Sequence, residues 1–282
     1  MEEMLEKSLR ALKYIVENVV VTKSEDEEKE LYESGKEMIT QVYSNAELVE
    51  ELHVFEQKNP LVLRHCNSVM ALALTLANKF GMDDTKKWDI VIGGVFHDYG
   101  LTEVTVNYWD DEMSTVPAID KLNYRRHVII GYEKLQARKW MTDGAKMIVL
   151  SHHEKKDGSG YPFHKSGDGI PQEVSLITLC DHYTELVFGL GHKKRKNNEA
   201  IEFFETAETF LFDYDLMVKV VKNILHYPTG VKILTSEGEK GVIIRQTRGY
   251  RDRPVIGVMR NGRQEEIDLA QDLKVFIKQI ID

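Results

Sequence analysis

The strongest constraint on the fold is a group of histidines and aspartates that lie on apolar helical stretches. The run from His152 to Pro162 contains two adjacent histidines and then a Gly-rich turn that ends in Tyr-Pro. Adjacent residues on a helix point about 100° apart, because a helix turns once in roughly 3.6 residues. The two imidazoles can therefore approach one ion from two sides, or approach two ions. Gly158, Gly160 and Pro162 predict that the helix carrying the pair stops here.

Other predicted helices carry polar side chains of the same kind on their apolar faces. His65 lies three residues after Val62 and four before Val69, so these three side chains share one face of a helix. A buried histidine or aspartate costs free energy unless it is paired or binds a metal ion. Further candidates occur at three places. His97-Asp98 lies at the end of an apolar helix, His127 lies near the start of a helix, and Asp181 lies on the apolar stripe of another helix.

Together these residues predict a metal centre with nitrogen and oxygen ligands. The candidate ligands are His65, His97, Asp98, His127, His152, His153 and Asp181. They outnumber the four ligands of a closed structural zinc site. An imidazole and carboxylate set in which Asp98 can bridge suits two ions such as iron, manganese or nickel. Paired ions about 3.5–4 Å apart can hold the oxygens of a phosphoryl displacement. We expect the centre to lie inside a helical bundle.

Composition excludes several other classes of protein. The formal net charge of -9 argues against binding a DNA or RNA polymer, which requires clustered lysine and arginine. No apolar run approaches the roughly 20 residues that span a bilayer, and the acidic first residues do not resemble a signal peptide. We therefore expect a cytoplasmic protein without a membrane span. The only two cysteines, Cys66 and Cys180, are interpreted as small core residues and not as ligands.

Hydrophobic periodicity predicts a mainly α protein with a small β-rich C-terminal appendage. Residues 1–55 have a helical pattern, Pro60 is expected to start a helix that ends at Gly81, and Asp143 is expected to cap another. Helical periodicity also covers residues 200–226. Short β-branched runs begin at Val231, Val242 and Val255, and residues 268–281 are expected to combine a strand with a closing helix.

The same residues carry a resemblance to a known family. The ordered candidate ligands are similar to the metal-binding signature of HD-domain phosphohydrolases, and His152 to Pro162 resembles the motif of the HD-GYP subfamily. The resemblance covers roughly residues 53–181, and residues 227–239 are similar to the segment that follows the domain. Together with the hydrophobic periodicity, it predicts three regions: an N-terminal helical segment (1–52), which carries no resemblance to the family, an HD-domain helical bundle (53–227) and the β-rich segment (228–282).

The resemblance also implies an activity and a set of site residues. The activity is hydrolysis of cyclic di-GMP to the linear dinucleotide, and on to GMP, at iron or manganese ions that Asp98 bridges as the catalytic residue. Gly160 and Tyr161 would shape the substrate cleft, in a Gly-Tyr-Pro loop that is also linked to contacts with a protein partner. Lys193 would contact a phosphate, and Lys194 is a further candidate. A homodimer is an additional expectation.

Three departures from the family pattern modify these expectations. The family's lysine three residues after the HD aspartate is Leu101 here. The glutamate of trinuclear members is Leu61 here, so we expect two metal ions. After Asp181 the family has an Arg-Pro-Tyr-Arg-like segment, where this chain has Leu190-Gly191-His192-Lys193. Of these four residues, only Lys193 matches a basic position of the family's segment.

These departures leave two alternatives to a cyclic di-GMP phosphodiesterase. One is another enzyme at the same centre, which would be a phosphohydrolase of another substrate or a di-iron enzyme that activates oxygen. The other is a metal-stabilised receptor or adaptor that binds the dinucleotide without cleaving it. Oxygen consumption distinguishes the oxygen-using enzyme, and tight binding without product distinguishes the receptor.

Overall fold

The computed structural model describes residues 2–105, 113, 115–207, 210–260 and 262–281. Met1 and Asp282, the ends of the predicted regions, lie outside the described residues. The fold is mainly helical with a C-terminal antiparallel sheet, as predicted. The α-helices are α1 (Glu2–Asn18), α2 (Glu25–Tyr43), α3 (Ala46–Lys58), α4 (Pro60–Lys79), α5 (Asp84–Phe96), α6 (Ala118–Arg125), α7 (His127–Leu135), α8 (Asp143–Ser151), α9 (Gln172–Phe188), α10 (Asn197–Ala207) and α11 (Tyr214–Lys222). The 3-10 helices are Tyr99–Glu103 and Gly167–Gly169.

Helix α4 is the central element of the helical region and packs against α1, α5 and α9. Asn59 caps its start by accepting a hydrogen bond from the Val62 N–H at 3.3 Å, and Pro60 occupies the first turn. Gly81 follows the end of the helix with a φ of 67°, as its place in the sequence predicted. By length and composition α4 resembles a membrane-spanning helix, and 78% of that stretch is buried inside the protein.

The N-terminal region is three helices and not one continuous helix. Ser24 caps α2 and Asn45 caps α3, and each accepts a hydrogen bond from a backbone N–H in the first turn. The helices share a hydrophobic core with α4, and the Ser8 hydroxyl of α1 donates a hydrogen bond to Asn67 Oδ1 of α4 at 2.6 Å. The predicted boundary after residue 52 falls inside α3 and stays a prediction.

Helix α8 differs from its prediction at both ends. Thr142, and not Asp143, caps its start, because the Thr142 hydroxyl accepts a hydrogen bond from the Ala145 N–H at 3.1 Å. The helix ends at Ser151, so His152 is its C-cap and His153 lies in the following turn. The histidine pair therefore follows the helix and does not lie on it.

The C-terminal sheet has the strand order β4-β3-β2-β1-β5, with every neighbouring pair antiparallel. It encloses a small core of its own. Arg248 forms an ion pair with Glu28 of α2 at 2.8 Å, which connects the sheet to the N-terminal helices. The strands are β1 (Lys232–Thr235), β2 (Lys240–Arg245), β3 (Val255–Arg260), β4 (Arg263–Asp268) and β5 (Ile277–Ile280).

Two features of this sheet differ from the sequence prediction. Strand β4 was not predicted, because its largely exposed edge position removes the apolar alternation that marks a strand. The predicted closing helix within residues 268–281 is wrong, since residues 269–276 form turns and irregular structure. Asp268 and Asp272 each accept a hydrogen bond from the backbone N–H two residues later, which stabilises turns in place of a helix.

Candidate metal centre

Asp98 lies between two groups of imidazoles, and each of its carboxylate oxygens faces one group. Oδ1 is 3.2 Å from His127 Nε2 and 3.6 Å from His152 Nε2. Oδ2 is 3.5 Å from His97 Nε2 and 3.9 Å from His65 Nε2. A carboxylate in this position can bridge two cations, one on each side.

Asp181 completes the group around Oδ2 of Asp98. Its Oδ1 is 2.8 Å from His65 Nε2 and 3.3 Å from His97 Nε2. On the other side, His153 joins His127 and His152, with ligand atoms close enough to share one ion with Asp98. The structure thus brings together all seven predicted ligands, from α4, the end of α5, α7, the turn after α8, and α9.

Backbone carbonyls fix the orientation of three of the rings. The Nδ1 atoms lie 2.8 Å from Gly94 O for His97, 2.7 Å from Tyr124 O for His127, and 3.1 Å from Val149 O for His152. A donated Nδ1–H at these positions leaves each Nε2 lone pair facing the centre. This is the arrangement that metal-binding histidines commonly have.

The polar atoms at the centre fit divalent metal ions better than they fit one another. His97 Nε2, Asp98 Oδ1 and His153 Nε2 are buried without a hydrogen-bond partner among the described residues. Buried polar atoms without partners are costly and uncommon. Divalent ions coordinated by these atoms would remove that cost. The residues present therefore fit the metal ions that the sequence predicted.

The protonation states of Asp98 and His153 also suit metal binding. Burial raises the pKa of the Asp98 carboxyl, but the neighbouring imidazoles of His97 and His127 lower it to well below its usual range. Burial and the neighbouring imidazoles of His152 and His127 lower the pKa of His153 to well below its usual range. An ionised carboxylate and a neutral imidazole are the forms that coordinate a metal ion.

Neither cysteine is suited to be a ligand. Cys66 and Cys180 are both buried and form no disulfide. Burial raises the pKa of each thiol, so both remain protonated at neutral pH. These properties agree with the interpretation of both residues as small core side chains.

The loop after the histidine pair is held by a buried carboxylate that the sequence analysis did not single out. Glu154 is 1% exposed and accepts hydrogen bonds from the N–H groups of Phe163 at 2.6 Å and Lys165 at 2.9 Å. A residue in the middle of a polar, Gly-rich run gives no periodic signal of burial, so its role is visible only in the tertiary structure.

Gly160 and Tyr161, two predicted substrate contacts, lie against the candidate metal ligand His153. A Cβ on Gly160 would lie 2.4 Å from His153 O, so the tight turn excludes any side chain at this position. The Tyr161 ring stacks on the His153 ring at a centroid distance of 4.8 Å, and the Arg125 guanidinium lies 5.1 Å from the Tyr161 centroid. Both residues therefore position the loop beside the centre, and their contact with substrate stays a prediction.

Lys193 and Lys194, the predicted phosphate contacts, line a cleft of about 1330 Å³ between α1, α4, α9 and the C-terminal sheet. Both side chains are exposed, and Arg64 on α4 lines the same cleft. Phe188 also lines the cleft, and its ring lies 6.3 Å from the ring of the candidate ligand His65. The two lysines therefore share a cleft with Phe188 and Arg64, and their contact with phosphate stays a prediction.

Leu101 and Leu61, the two leucines that depart from the family pattern, differ in their exposure to solvent. Leu101 is 1% exposed and belongs to the hydrophobic core. Leu61 lies in the first turn of α4, and its side chain is 54% exposed. The adjacent Val62 and Leu63 are buried, so Leu61 lies on the exposed face of that turn.

Comparisons with known proteins identify the family of the domain that carries this site. The family model described as HD domain matches residues 51–216. Cyclic di-GMP phosphodiesterase PA4108 of Pseudomonas aeruginosa is 28% identical over 189 residues, which are 64% of this chain and 44% of that protein. The 3'3'-cGAMP-specific phosphodiesterase 2 of Vibrio cholerae is 27% identical over 61% of this chain and 31% of that protein. The chain thus spans less than half the length of these curated relatives.

A solved structure shows the same fold. Bd1817, an HDG"Y"P protein from Bdellovibrio bacteriovorus, superposes with a TM-score of 0.53. The match covers 77% of this chain and 69% of that chain at 18% sequence identity. The similarity therefore supports the helical architecture around the centre.

Proposed function

This chain belongs to the HD domain family, and on that premise we propose that it is a metal-dependent phosphodiesterase that hydrolyses a cyclic dinucleotide. The observation that carries the proposal is the position of Asp98, whose two carboxylate oxygens face separate groups of imidazoles. That arrangement suits two divalent ions, and we propose iron or manganese. The names of the relatives support cyclic di-GMP as the first substrate to test and 3'3'-cGAMP as the second.

The reaction requires one water molecule and breaks one phosphodiester bond. Metal ions at this centre, when bound, lower the pKa of a water molecule and stabilise negative charge on a phosphate. The water oxygen forms a bond to phosphorus, the bond from phosphorus to the leaving ribose oxygen breaks, and that oxygen takes up a proton. The product is the linear dinucleotide, and a second hydrolysis gives the mononucleotide.

The residues that line the cleft suit an anionic substrate with aromatic bases. The whole chain carries a formal net charge of -9, so a dianion needs a local group of cations to approach. Lys193 and Lys194 are exposed in that cleft, and Arg64 lies over the Phe188 ring at 5.4 Å. We propose that the two lysines contact phosphate and that Phe188 with Arg64 forms the wall nearest to the metal centre.

A second candidate function is a receptor that binds the dinucleotide without hydrolysing it. The observation that favours it is Leu101, a buried apolar residue where the family resemblance implies a lysine near the scissile phosphate. Loss of a cation at that position would reduce stabilisation of the transition state more than it would reduce binding in the cleft.

Product analysis distinguishes the two functions. Protein purified without oxygen and reconstituted with iron or manganese is incubated with cyclic di-GMP and, separately, with 3'3'-cGAMP. Metal content is measured on the same samples, and chelator-treated protein is the control. We expect linear dinucleotide or mononucleotide from the loaded protein only. Full metal loading with dinucleotide bound but intact would favour the receptor, and loading with neither binding nor product would contradict both candidates.

Paired substitutions in the cleft test the substrate contacts. We expect Lys193→Ala with Lys194→Ala to weaken dinucleotide binding by roughly 10-fold or more, since even one charge-assisted contact contributes about 1.5 kcal/mol. Lys240→Ala is the control, because Lys240 is an exposed lysine of β2 that does not line this cleft. Equal affinity of the double variant and the control, measured by equilibrium dialysis, would place the phosphates elsewhere.

A further inference from the structure

A second cluster of metal-ligating side chains lies at the C-terminal end of α9. It consists of His182, Glu185 and His192, none of which is among the seven predicted ligands. One ligand atom from each residue lies within 4.8 Å of the others. His182 Nδ1 is 3.3 Å from Glu185 Oε2, and His192 Nε2 is 3.7 Å from the same oxygen. Two imidazole nitrogens therefore face a single carboxylate.

The backbone of this segment explains how the three residues meet. His182 and Glu185 are three residues apart on α9, so they share one face of the helix. The helix ends in a left-handed residue, Gly189 with a φ of 81°, and Gly191 follows with a φ of 66°. These two conformations, which favour glycine, turn the chain back over the last helical turn. As a result the rings of His192 and His182 lie 5.1 Å apart.

The distances match those between ligands of one metal ion. A zinc ion bound at about 2.0–2.1 Å in tetrahedral geometry separates its ligand atoms by roughly 3.3–3.5 Å. The observed separations of 3.3 and 3.7 Å from Glu185 Oε2 are close to that range. Two imidazoles and one carboxylate are a common ligand set for zinc and for non-haem iron, with positions left open for water or a phosphate oxygen.

The surroundings of the cluster suit a bound ion. The Glu185 side chain is 9% exposed and the His182 side chain 12% exposed, whereas His192 is 37% exposed. The rings of Phe204 and Phe212 lie 5.4 and 5.7 Å from the His182 ring and form an apolar wall. A site with two buried ligands and one accessible ligand excludes most water and still leaves a path for an ion to enter.

We propose that His182, Glu185 and His192 bind an additional divalent transition-metal ion next to the centre at Asp98. Glu185 connects the two sites, because a ligand atom of its carboxylate also lies within 4.8 Å of ligand atoms of His153 and Asp181. The inference rests on this cluster alone and does not depend on which substrate the protein uses. It replaces the expectation, drawn from Leu61, that the protein binds two ions and no more.

Metal counting with a matched pair of variants tests the site. Protein freed of metal by chelation is reconstituted with Zn²⁺, separated from unbound ion and analysed by mass spectrometry for metal per chain. We expect His192→Ala to bind one ion fewer than the unmodified protein. His53→Ala is the control, since His53 is a partly exposed histidine of α3 outside every metal-ligating cluster of the described residues. Its zinc content should equal that of the unmodified protein.

Anomalous diffraction from zinc-loaded crystals of the unmodified protein locates the ion directly and does not depend on how well a variant folds. A peak among His182, Glu185 and His192 is the expected result. The same zinc content in all three proteins, with no peak at the cluster, would overturn the inference and leave the centre at Asp98 intact. If the unmodified protein binds two zinc ions and His192→Ala binds one, the inference is supported. That result would contradict the proposal that two ions bind at Asp98.

Discussion

At the scale of single residues, Asp98 is distinguished by the separate surroundings of its two oxygens. Oδ1 faces His127 and His152, and Oδ2 faces His65 and His97. The neighbouring imidazoles keep the carboxylate ionised in spite of complete burial. A substitution that preserves the shape of the side chain but removes one oxygen therefore tests whether both sides of Asp98 are used.

We expect Asp98→Asn to lose at least one metal ion per chain and to reduce hydrolysis by more than about 100-fold. Removing a group that only orients a ligand costs about 10- to 100-fold in metal affinity or activity, so removing a bridging ligand should cost more. Metal content and product formation are measured together. Asp252→Asn, at an exposed residue of the C-terminal sheet region, should change neither quantity. An active, fully loaded Asp98→Asn protein would refute the assignment of Asp98 as the bridge.

Leu101 and Leu61 offer a second test at the same scale. Leu101→Lys should lower the free energy of unfolding by roughly 3 kcal/mol or more, because it would bury the charged ammonium group of lysine at a position that is 1% exposed. Leu61→Lys should change it by less than about 0.5 kcal/mol, because Leu61 is 54% exposed. Urea denaturation of both variants provides the comparison. Similar unfolding midpoints would mean that the side chain at position 101 is free to leave the core.

At the scale of structural elements, the turn after α8 depends on one buried carboxylate. Glu154 accepts hydrogen bonds from two backbone N–H groups of the loop that contains Tyr161. The same loop supports the candidate metal ligand His153 through the stacked ring of Tyr161. The order of the loop and the position of the ligand are therefore linked.

We expect Glu154→Gln to reduce stability by about 1–3 kcal/mol, since an amide replaces one oxygen by a donor that would face a backbone N–H. Amide hydrogen exchange at Phe163 and Lys165 should become faster, which mass spectrometry of the peptide covering residues 155–166 can measure. Glu50→Gln, at an exposed position of α3, is the matched control and should leave this peptide unchanged. Unchanged exchange in Glu154→Gln would mean that other contacts hold the loop.

At the scale of the whole molecule, the candidate metal centre connects segments that are far apart in the chain. Its predicted ligands come from α4 to α9, and the cleft beside it also involves α1 and the C-terminal sheet. Binding of an ion to the folded state alone would therefore stabilise the complete helical region. A ligand present at 100 times its dissociation constant adds about 2.7 kcal/mol of stability.

We expect chelation to lower the melting temperature of the protein and addition of manganese or iron to restore it. The reason is that the ligands are assembled only in the folded protein, so bound metal favours that state. Differential scanning calorimetry with and without chelator measures the shift. Asp98→Asn should respond less to chelator than Asp252→Asn does. Identical melting curves in the presence and absence of metal would indicate that the ions do not bind the native state.

The sequence by itself determined the fold class and the group of candidate ligands. Polar side chains such as His65 and Asp181 on apolar stripes are costly without a partner, so their positions in the sequence already predicted a shared site. The limits of α4 followed in the same way from Pro60 and Gly81. These features are local, and local sequence is sufficient to specify them.

Only the tertiary structure decided which groups meet and how they are oriented. It showed that the two carboxylate oxygens of Asp98 face different imidazoles and that Leu101 and Glu154 are buried. It also showed that the His192 ring lies close to the His182 ring. It also replaced the predicted closing helix with turns and added the exposed strand β4. The physical reason is that hydrophobic periodicity indicates only which face of its own helix or strand a residue lies on. Contacts between elements depend on how the elements pack and where the chain turns between them.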